Sequence, residues 1–332
     1  MLKKILGALI LILVVGAGSG FAFLYLRKPA MAVPSAVKVE MTPERIERGK
    51  YLFQNVMDCD GCHSQHDDTR FGRPVIEAGR GRGFVFPPET GLPGTVVAAN
   101  ITPDPETGIG AWTDGEKIRA IREGIGRDGH VMFPMMPYSN YRLMSDEDVY
   151  ALIAYLNSLP AVRNPLPRTR VNFPVSLMIK SVPRPAGSVP APNRSDKLKY
   201  GEYLVTVAAC AECHTQVEKG QPVPGKRLAG GREFHTPDAV VVSGNITPDA
   251  DTGIGKWSEQ QFLDKVYQYK EYVEKGSPQV GPEGFTLMPW LSFAKLSPEE
   301  LGAIYTYLMS QPAVRNAVET HPGQPSPPAK AS

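Results

Sequence analysis

The sequence predicts an all-α protein in which one N-terminal membrane-spanning helix precedes two tandem domains of the same fold. Three observations support this prediction: an uncharged apolar run near the N-terminus, a set of elements that occurs twice in the same order, and a Cys-x-x-Cys-His motif in each copy. A length of 332 residues is enough for two domains. The net charge of +2 gives no electrostatic sign of nucleic-acid binding, so we expect no nucleic-acid partner.

The first element, residues 1–28, is predicted to be a transmembrane anchor. Two lysines precede an uncharged run of 22 residues from Ile5 to Leu26, and two basic residues follow it. This run can span a bilayer, and it exceeds the apolar region of about 7–15 residues that is typical of a cleavable signal peptide. A cleaved signal is the alternative, because Ala-Met-Ala at 30–32 resembles a cleavage site. Residues 29–42 are then a linker.

An internal duplication defines the two predicted domains, residues 43–164 and 196–318. The matching elements are Gly-x-Tyr-Leu at 49–52 and 201–204, Asn-Ile-Thr-Pro-Asp at 100–104 and 245–249, and Pro-Ala-Val-Arg-Asn at 160–164 and 312–316. Two copies in the same order indicate a tandem rather than a solenoid. The proline-rich residues 165–195 are predicted to be an extended linker whose apolar middle packs against a neighbour. Residues 319–332 are predicted to be a disordered tail.

Each predicted domain begins and ends with a helix. Pro43 suits the first position of the opening helix, and Ser145 followed by Asp148 resembles a capping box. Apolar residues recur at helical spacing in the closing helices and are predicted to be core: Val149, Leu152, Ile153 and Leu156, and then Leu301, Ile304, Tyr305 and Leu308. The opening and closing helices are expected to cross at Gly49 and at Gly201, where a missing side chain permits close approach.

The Cys-x-x-Cys-His motif is the attachment pattern of c-type haem. Two thiols three positions apart can each add to one vinyl group of a porphyrin, while the adjacent imidazole reaches the iron. The motifs therefore predict two covalently bound haem c groups, attached through Cys59, Cys62, Cys210 and Cys213, with His63 and His214 as iron ligands. A zinc site is one alternative, but it leaves the two histidines unexplained. A disulfide within each pair is another, but the βαβ pattern of a redox motif is missing.

Comparison of the two repeats selects the sixth iron ligand. Before its closing helix the first repeat offers four methionines, Met132, Met135, Met136 and Met144, whereas the second offers Met288 alone. Met136 and Met288 are 152 residues apart and both precede proline, so we predict that both ligate iron.

The remaining histidines are weaker candidates for iron ligation. His130 is the rival ligand in the first repeat, but its counterpart is Pro282, which cannot bind a metal. His66, His235 and His321 have no repeated counterpart and are predicted to be surface residues.

Two further residue pairs recur with the repeat. The indole N–H groups of Trp112 and Trp257 and the amides of Asn100 and Asn245 could donate hydrogen bonds to haem propionates. For the tryptophans, simple core packing is the alternative.

These motifs, in this order and twice over, resemble the cytochrome c subunits of membrane-bound alcohol, gluconate and related sugar dehydrogenases. The resemblance covers most of residues 43–317, although those subunits usually carry three such domains and this chain has two. It implies class-I cytochrome c domains, His/Met ligation and electron transfer from a dehydrogenase subunit toward quinone or an oxidase. Because c-type haem is attached on the outer side of the bacterial inner membrane, it also implies that both domains lie in the periplasm.

A saturated iron predicts an electron carrier rather than an enzyme, since no coordination position is open to a substrate. The predicted function is a membrane-anchored relay between a dehydrogenase or quinol-oxidising complex and a downstream acceptor or terminal oxidase. The alternative is a dihaem peroxidase, in which one iron lacks its sixth ligand. The Met-Pro dipeptide in both repeats favours the carrier.

Overall fold

The computed structural model describes residues 2–236, 240–281 and 284–322. In this part of the chain the α-helices are α1 (Leu2–Leu26), α2 (Pro43–Tyr51), α3 (Asp60–His63), α4 (Asp114–Glu123), α5 (Tyr138–Tyr141), α6 (Asp146–Ser158), α7 (Val175–Met178), α8 (Lys197–Val207), α9 (Cys210–Cys213), α10 (Glu259–Tyr267), α11 (Lys270–Lys275), α12 (Trp290–Phe293) and α13 (Pro298–Met309). The helices provide the packed framework, as the predicted fold class requires.

Short antiparallel strand pairs correct the expectation of an all-α chain. The pairs are β1 (Phe84–Val85) with β3 (Val97–Ala98), β2 (Gly94–Thr95) with β4 (Arg170–Val171), β5 (Val217–Glu218) with β6 (Gln221–Pro222), and β7 (Glu233–His235) with β8 (Val240–Val242). Each strand has two or three residues, which is too short for the alternating pattern that reveals strands in a sequence.

Helix α1 carries the predicted membrane-spanning run. It is long and apolar enough to cross a membrane, and its most apolar stretch is not buried in the rest of the protein. Its apolar side chains are exposed on every face, a pattern that is typical of a membrane-spanning helix or of a signal sequence.

Each half of the chain contains one crossing between its opening and closing helices. α2 packs across α6, and α8 packs across α13. A Cβ atom on Gly49 would overlap the carbonyl oxygen of Ala151, and one on Gly201 would overlap that of Ala303. The predicted close approach at the two glycines is confirmed.

The closing helices present the predicted stripe to the core. Val149, Leu152, Ile153 and Leu156 are buried, as are Leu301, Ile304 and Leu308, whereas Tyr305 is half-buried. Ser297 and Glu300 form a complete capping box on α13. On α6, Ser145 accepts a hydrogen bond from the Asp148 N–H, but the Asp148 carboxylate bonds to Arg48 and Tyr203 instead.

A one-residue insertion in the first half explains a change in the repeat spacing. Leu52 and Leu204 are 152 residues apart, whereas Cys59 and Cys210 are 151 apart. After α2 the chain continues as a π-helix, Leu52–Val56, while α8 remains α-helical to its end. A π-helical turn accommodates an inserted residue without ending the helix.

Both linkers are docked on the first half. The Glu123 carboxylate accepts hydrogen bonds of 3.0 Å from the backbone N–H groups of Ala32 and Ala186, one in each linker. The 165–195 linker also contains α7 and buries Ile179, as expected for its apolar middle. From residue 323 onward the predicted tail lies outside the described residues; at its start, the Thr320 carbonyl accepts a hydrogen bond from Val242.

Candidate haem-binding site

Both Cys-x-x-Cys-His motifs line one continuous cavity of about 3820 Å³. α3 and α9 present the motifs, and each is preceded by a residue with positive φ, Asp58 at 48° and Ala209 at 53°. Loss of hydration in the cavity, together with the smaller effects of neighbouring Asp58 and Cys213, raises the pKa of the Cys62 thiol to about 12. Cys62 of the first motif and Cys213 of the second line the same cavity.

The two imidazoles are oriented in the same way. His63 Nδ1 lies 2.8 Å from the Ala99 carbonyl oxygen, and His214 Nδ1 lies 2.8 Å from that of Gly244. A carbonyl oxygen can only accept, so Nδ1 carries the hydrogen and Nε2 presents a lone pair. Burial lowers the pKa of both histidines, which favours the neutral form that binds metals.

This donor set fits haem c. All four cysteines are free thiols, so the disulfide alternative is not formed. The same cavity is lined by apolar side chains suited to a porphyrin, among them Phe53, Leu152, Leu156, Leu301, Ile304 and Leu308. Within the described ranges, no three His, Cys, Asp or Glu side chains cluster as a metal-ion site, so the zinc alternative lacks its ligands there.

Met136 and Met288 also line the cavity, in matching backbone positions. The Met136 carbonyl accepts a hydrogen bond of 2.8 Å from Tyr138, and the Met288 carbonyl accepts one of 2.7 Å from Trp290. Met132 and Met135 line the same cavity, whereas Met144 is fully buried in the core and is no longer a candidate. The choice of Met136 thus still depends on its equivalence with Met288.

The repeated asparagines have a role that the sequence did not reveal. Asn100 Nδ2 donates to Thr107 Oγ1 and to the Val162 carbonyl, and its Oδ1 accepts two hydrogen bonds from Thr102. Asn245 makes the same four bonds, to Thr252, Val314 and Thr247. Both donor hydrogens are used, which leaves none for the expected propionate contact. These bonds explain why the Asn-Ile-Thr-Pro-Asp and Pro-Ala-Val-Arg-Asn elements recur together.

The tryptophans remain candidates for both of their expected roles. Trp112 and Trp257 are half-buried, pack against the hydrophobic core and line the cavity.

The histidines without a repeated counterpart differ in exposure. His235 is exposed as predicted, but His66 is mostly covered and bonds through Nε2 to the Asp60 carbonyl. His321 is also half-buried and bonds to the Phe285 carbonyl, so the surface prediction is wrong for His66 and His321. His130 lines the cavity while its Nδ1 is paired with Asp128.

Asp58 is a site residue that repeat comparison could not find, because Ala209 occupies its position in the second half. Ser292, from the second half, donates a hydrogen bond of 2.9 Å to its carboxylate. Burial raises the pKa of Asp58 to about 7. A half-buried carboxyl group thus lies between the first motif and the second half of the chain.

Comparison with known proteins identifies the first half. Residues 46–160 match the protein-family model for cytochrome c. This segment is a cytochrome c domain. A cytochrome c domain implies covalently bound haem c, in agreement with the free thiols and the oriented imidazole of its Cys-x-x-Cys-His motif.

Three relatives that are named as cytochromes each align with more than four fifths of this chain. The chain is 29% identical over 304 residues to the alcohol dehydrogenase (quinone) cytochrome c subunit of Gluconacetobacter polyoxogenes, covering 86% of this chain and 60% of that protein. It is 31% identical over 301 residues to the fructose dehydrogenase cytochrome subunit of Gluconobacter japonicus, covering 85% and 56%. It is 28% identical over 302 residues to a dihaem c-type cytochrome of Cereibacter sphaeroides, covering 88% and 94%. The chain thus spans little more than half the length of the two dehydrogenase subunits.

Proposed function

We propose that the chain is a membrane-anchored dihaem cytochrome c that relays electrons between a dehydrogenase or quinol-oxidising complex and a downstream acceptor or oxidase. The observation that carries this proposal is that two motifs offer the same thiols and the same free imidazole nitrogen to one cavity. The match to a dihaem cytochrome over 94% of its length supports the count of two. Residues 43–164 and 196–318 are then tandem cytochrome c domains.

Each protein group has a defined task in this proposal. Haem c held by the cysteine thiols supplies a one-electron iron couple. The Ala99 and Gly244 carbonyls keep Nε2 of their histidines free for iron. Met136 and Met288, which line the cavity, would be the second protein ligands of the two irons, and a substrate would then have no free coordination position.

The setting of the relay follows from α1 and from the relatives. α1 anchors the chain in the bacterial inner membrane, and both domains lie in the periplasm, where c-type haem is attached. Two relatives are named as cytochrome subunits of dehydrogenases, which supports a dehydrogenase as electron donor.

Haem stoichiometry tests the proposal. We expect two covalent haems per full-length chain in a pyridine haemochrome assay, because the two motifs are independent. The paired changes Cys59→Ala with Cys62→Ala should leave one haem, and so should Cys210→Ala with Cys213→Ala. One haem per unaltered chain would overturn the proposal.

A further inference from the structure

The 165–195 linker carries an exposed apolar turn, residues 172–178. Phe173 is 68% exposed and Met178 is 54% exposed. The turn is nevertheless fixed to the first half on both sides, by the pairing of β4 with β2 before it and by buried Ile179 after it. A fixed segment that holds large apolar side chains outward is a candidate interaction surface.

The apolar turn contacts α1 directly. The Phe173 ring centroid lies 6.2 Å from that of Phe21. Just beyond the turn, Lys180 Nζ donates a hydrogen bond of 2.9 Å to the Tyr25 carbonyl oxygen and lies over the Tyr25 ring. These contacts hold the turn at a defined height along α1.

That height determines the medium around the turn when α1 spans a membrane. Phe21 precedes the last residue of α1, Leu26, by five positions, which is about 7.5 Å along a helix. Interfacial segments bury their apolar side chains to a depth of roughly 5–10 Å, at the boundary of headgroups and acyl chains. The backbone at Phe173 and Pro174 is not helical, so the centre of the bilayer is not available to it.

The charges around the turn suit the same surface. Arg27 and Lys28 follow α1, and Lys180 and Arg184 follow the turn. Basic side chains at this level attract lipid phosphates, and Tyr25 is of the type enriched where a helix leaves the membrane.

We propose that the apolar turn is a second membrane contact, which inserts Phe173 and Met178 into the headgroup and acyl boundary of the phospholipid bilayer that α1 spans. This inference rests on the proposed anchoring by α1. Ser176 in the turn and Ile179 after it also line the cavity. The contact therefore places the first-half side of the cavity next to the membrane and fixes its orientation.

Photolabelling from lipid tests the proposal. The full-length haem-loaded protein is reconstituted in nanodiscs that contain a phospholipid with a diazirine in its acyl chain, irradiated, digested and analysed by mass spectrometry. We expect adducts in α1 and in residues 172–178. The double variant Phe173→Ser with Met178→Ser should lose the label in the turn and keep it in α1, whereas Phe173→Trp should retain both.

A matched control and two contrary outcomes complete the experiment. Leu198→Ser, at an exposed apolar residue of α8, should leave the labelling pattern unchanged. Label in α1 without label in the turn would overturn this inference and leave the anchor intact. That result is expected if another protein covers the turn. Absence of label from both would overturn the anchor and this inference together.

Discussion

At the scale of single residues, the proposed function requires that Met136 and Met288 each bind one iron. Replacing Met288 with Ala should make the second iron five-coordinate or water-bound, abolish its methionine-to-iron charge-transfer band and lower its potential. Met136→Ala should do the same to the first iron alone, as measured by absorption spectroscopy and redox titration.

Met135→Ala is the matched control for the ligand assignment. Met135 also lines the cavity, but its counterpart Leu287 cannot bind iron. Both charge-transfer bands should survive this change. A first-haem band that is lost in Met135→Ala and kept in Met136→Ala would show that the repeat alignment is wrong by one residue.

His66 should make stability depend on pH. Burial lowers the pKa of His66 to about 4, below its ordinary value of 6.5. The unfolded chain therefore binds this proton at a higher pH than the folded protein does. As a result, the contribution of His66 to the unfolding free energy is fully present above pH 6.5 and is lost as the pH falls toward 4. Between pH 7 and pH 5, the unfolding free energy of the native protein should fall by about 1 kcal/mol more than that of His66→Gln. This figure is reduced from the full pKa difference because His66 is partly exposed.

Denaturant unfolding at the two pH values measures this effect. His235→Gln, at an exposed histidine, is the control and should follow the native protein. Equal pH dependence in His66→Gln and the native protein would refute the assignment.

Residue roles could be predicted from the sequence where the chemistry is local, and could not where they depend on the fold. The five-residue haem motif carries its own meaning, so both sets of thiols and imidazoles could be named. Asn100 has a repeated counterpart too, but its partners Val162 and Thr107 come together only in the folded chain. Repetition showed that Asn100 matters and could not show what it binds.

At the scale of elements, the helix crossings are the most exacting feature. Gly49→Ala and Gly201→Ala should each destabilise the protein by about 1–3 kcal/mol or more, because the new Cβ would overlap a backbone carbonyl that cannot move independently. Thermal or denaturant unfolding measures the loss. Gly187→Ala, where a Cβ meets no atom within 4 Å, is the control; equal stability of all three variants would contradict the crossing.

Elements with a long periodic pattern or a cap were predictable, and shorter or inserted ones were not. α6 and α13 were visible from their stripes and serine caps. The inserted residue of the π-helix Leu52–Val56 is visible in the sequence only as a drop in repeat spacing from 152 to 151. That drop does not reveal that the insertion takes the form of a π-helix. The strands are too short to show a recognisable pattern in the sequence.

At the scale of the whole molecule, a reciprocal exchange of hydrogen bonds joins the two halves. The Tyr203 hydroxyl of the second half donates a hydrogen bond of 2.6 Å to the Asp148 carboxylate of the first half. The Tyr51 hydroxyl of the first half donates one to the Glu300 carboxylate of the second half. The two tyrosines are 152 residues apart, as are the two carboxylates. Both repeats thus contain the same tyrosine and the same carboxylate, and the tyrosine of each half donates a hydrogen bond to the carboxylate of the other half.

Removing these hydroxyl groups should weaken the junction. Asp148 and Glu300 are each only 6% exposed, so a lost donor is not replaced by bulk water. Tyr51→Phe and Tyr203→Phe should each cost about 1–3 kcal/mol of unfolding free energy. Tyr150→Phe is the control, since its hydroxyl has no protein partner among the residues that the structure describes; an unchanged free energy in both test variants would show that the halves are held by other contacts.

The central claim is that both irons are saturated by protein ligands, and electron paramagnetic resonance of the oxidised full-length protein tests it most directly. We predict two low-spin ferric signals of equal intensity, unchanged when cyanide or peroxide is added, because one histidine and one methionine would be the protein ligands of each iron. A high-spin signal from one haem per chain that disappears with cyanide would contradict the carrier and support a peroxidase.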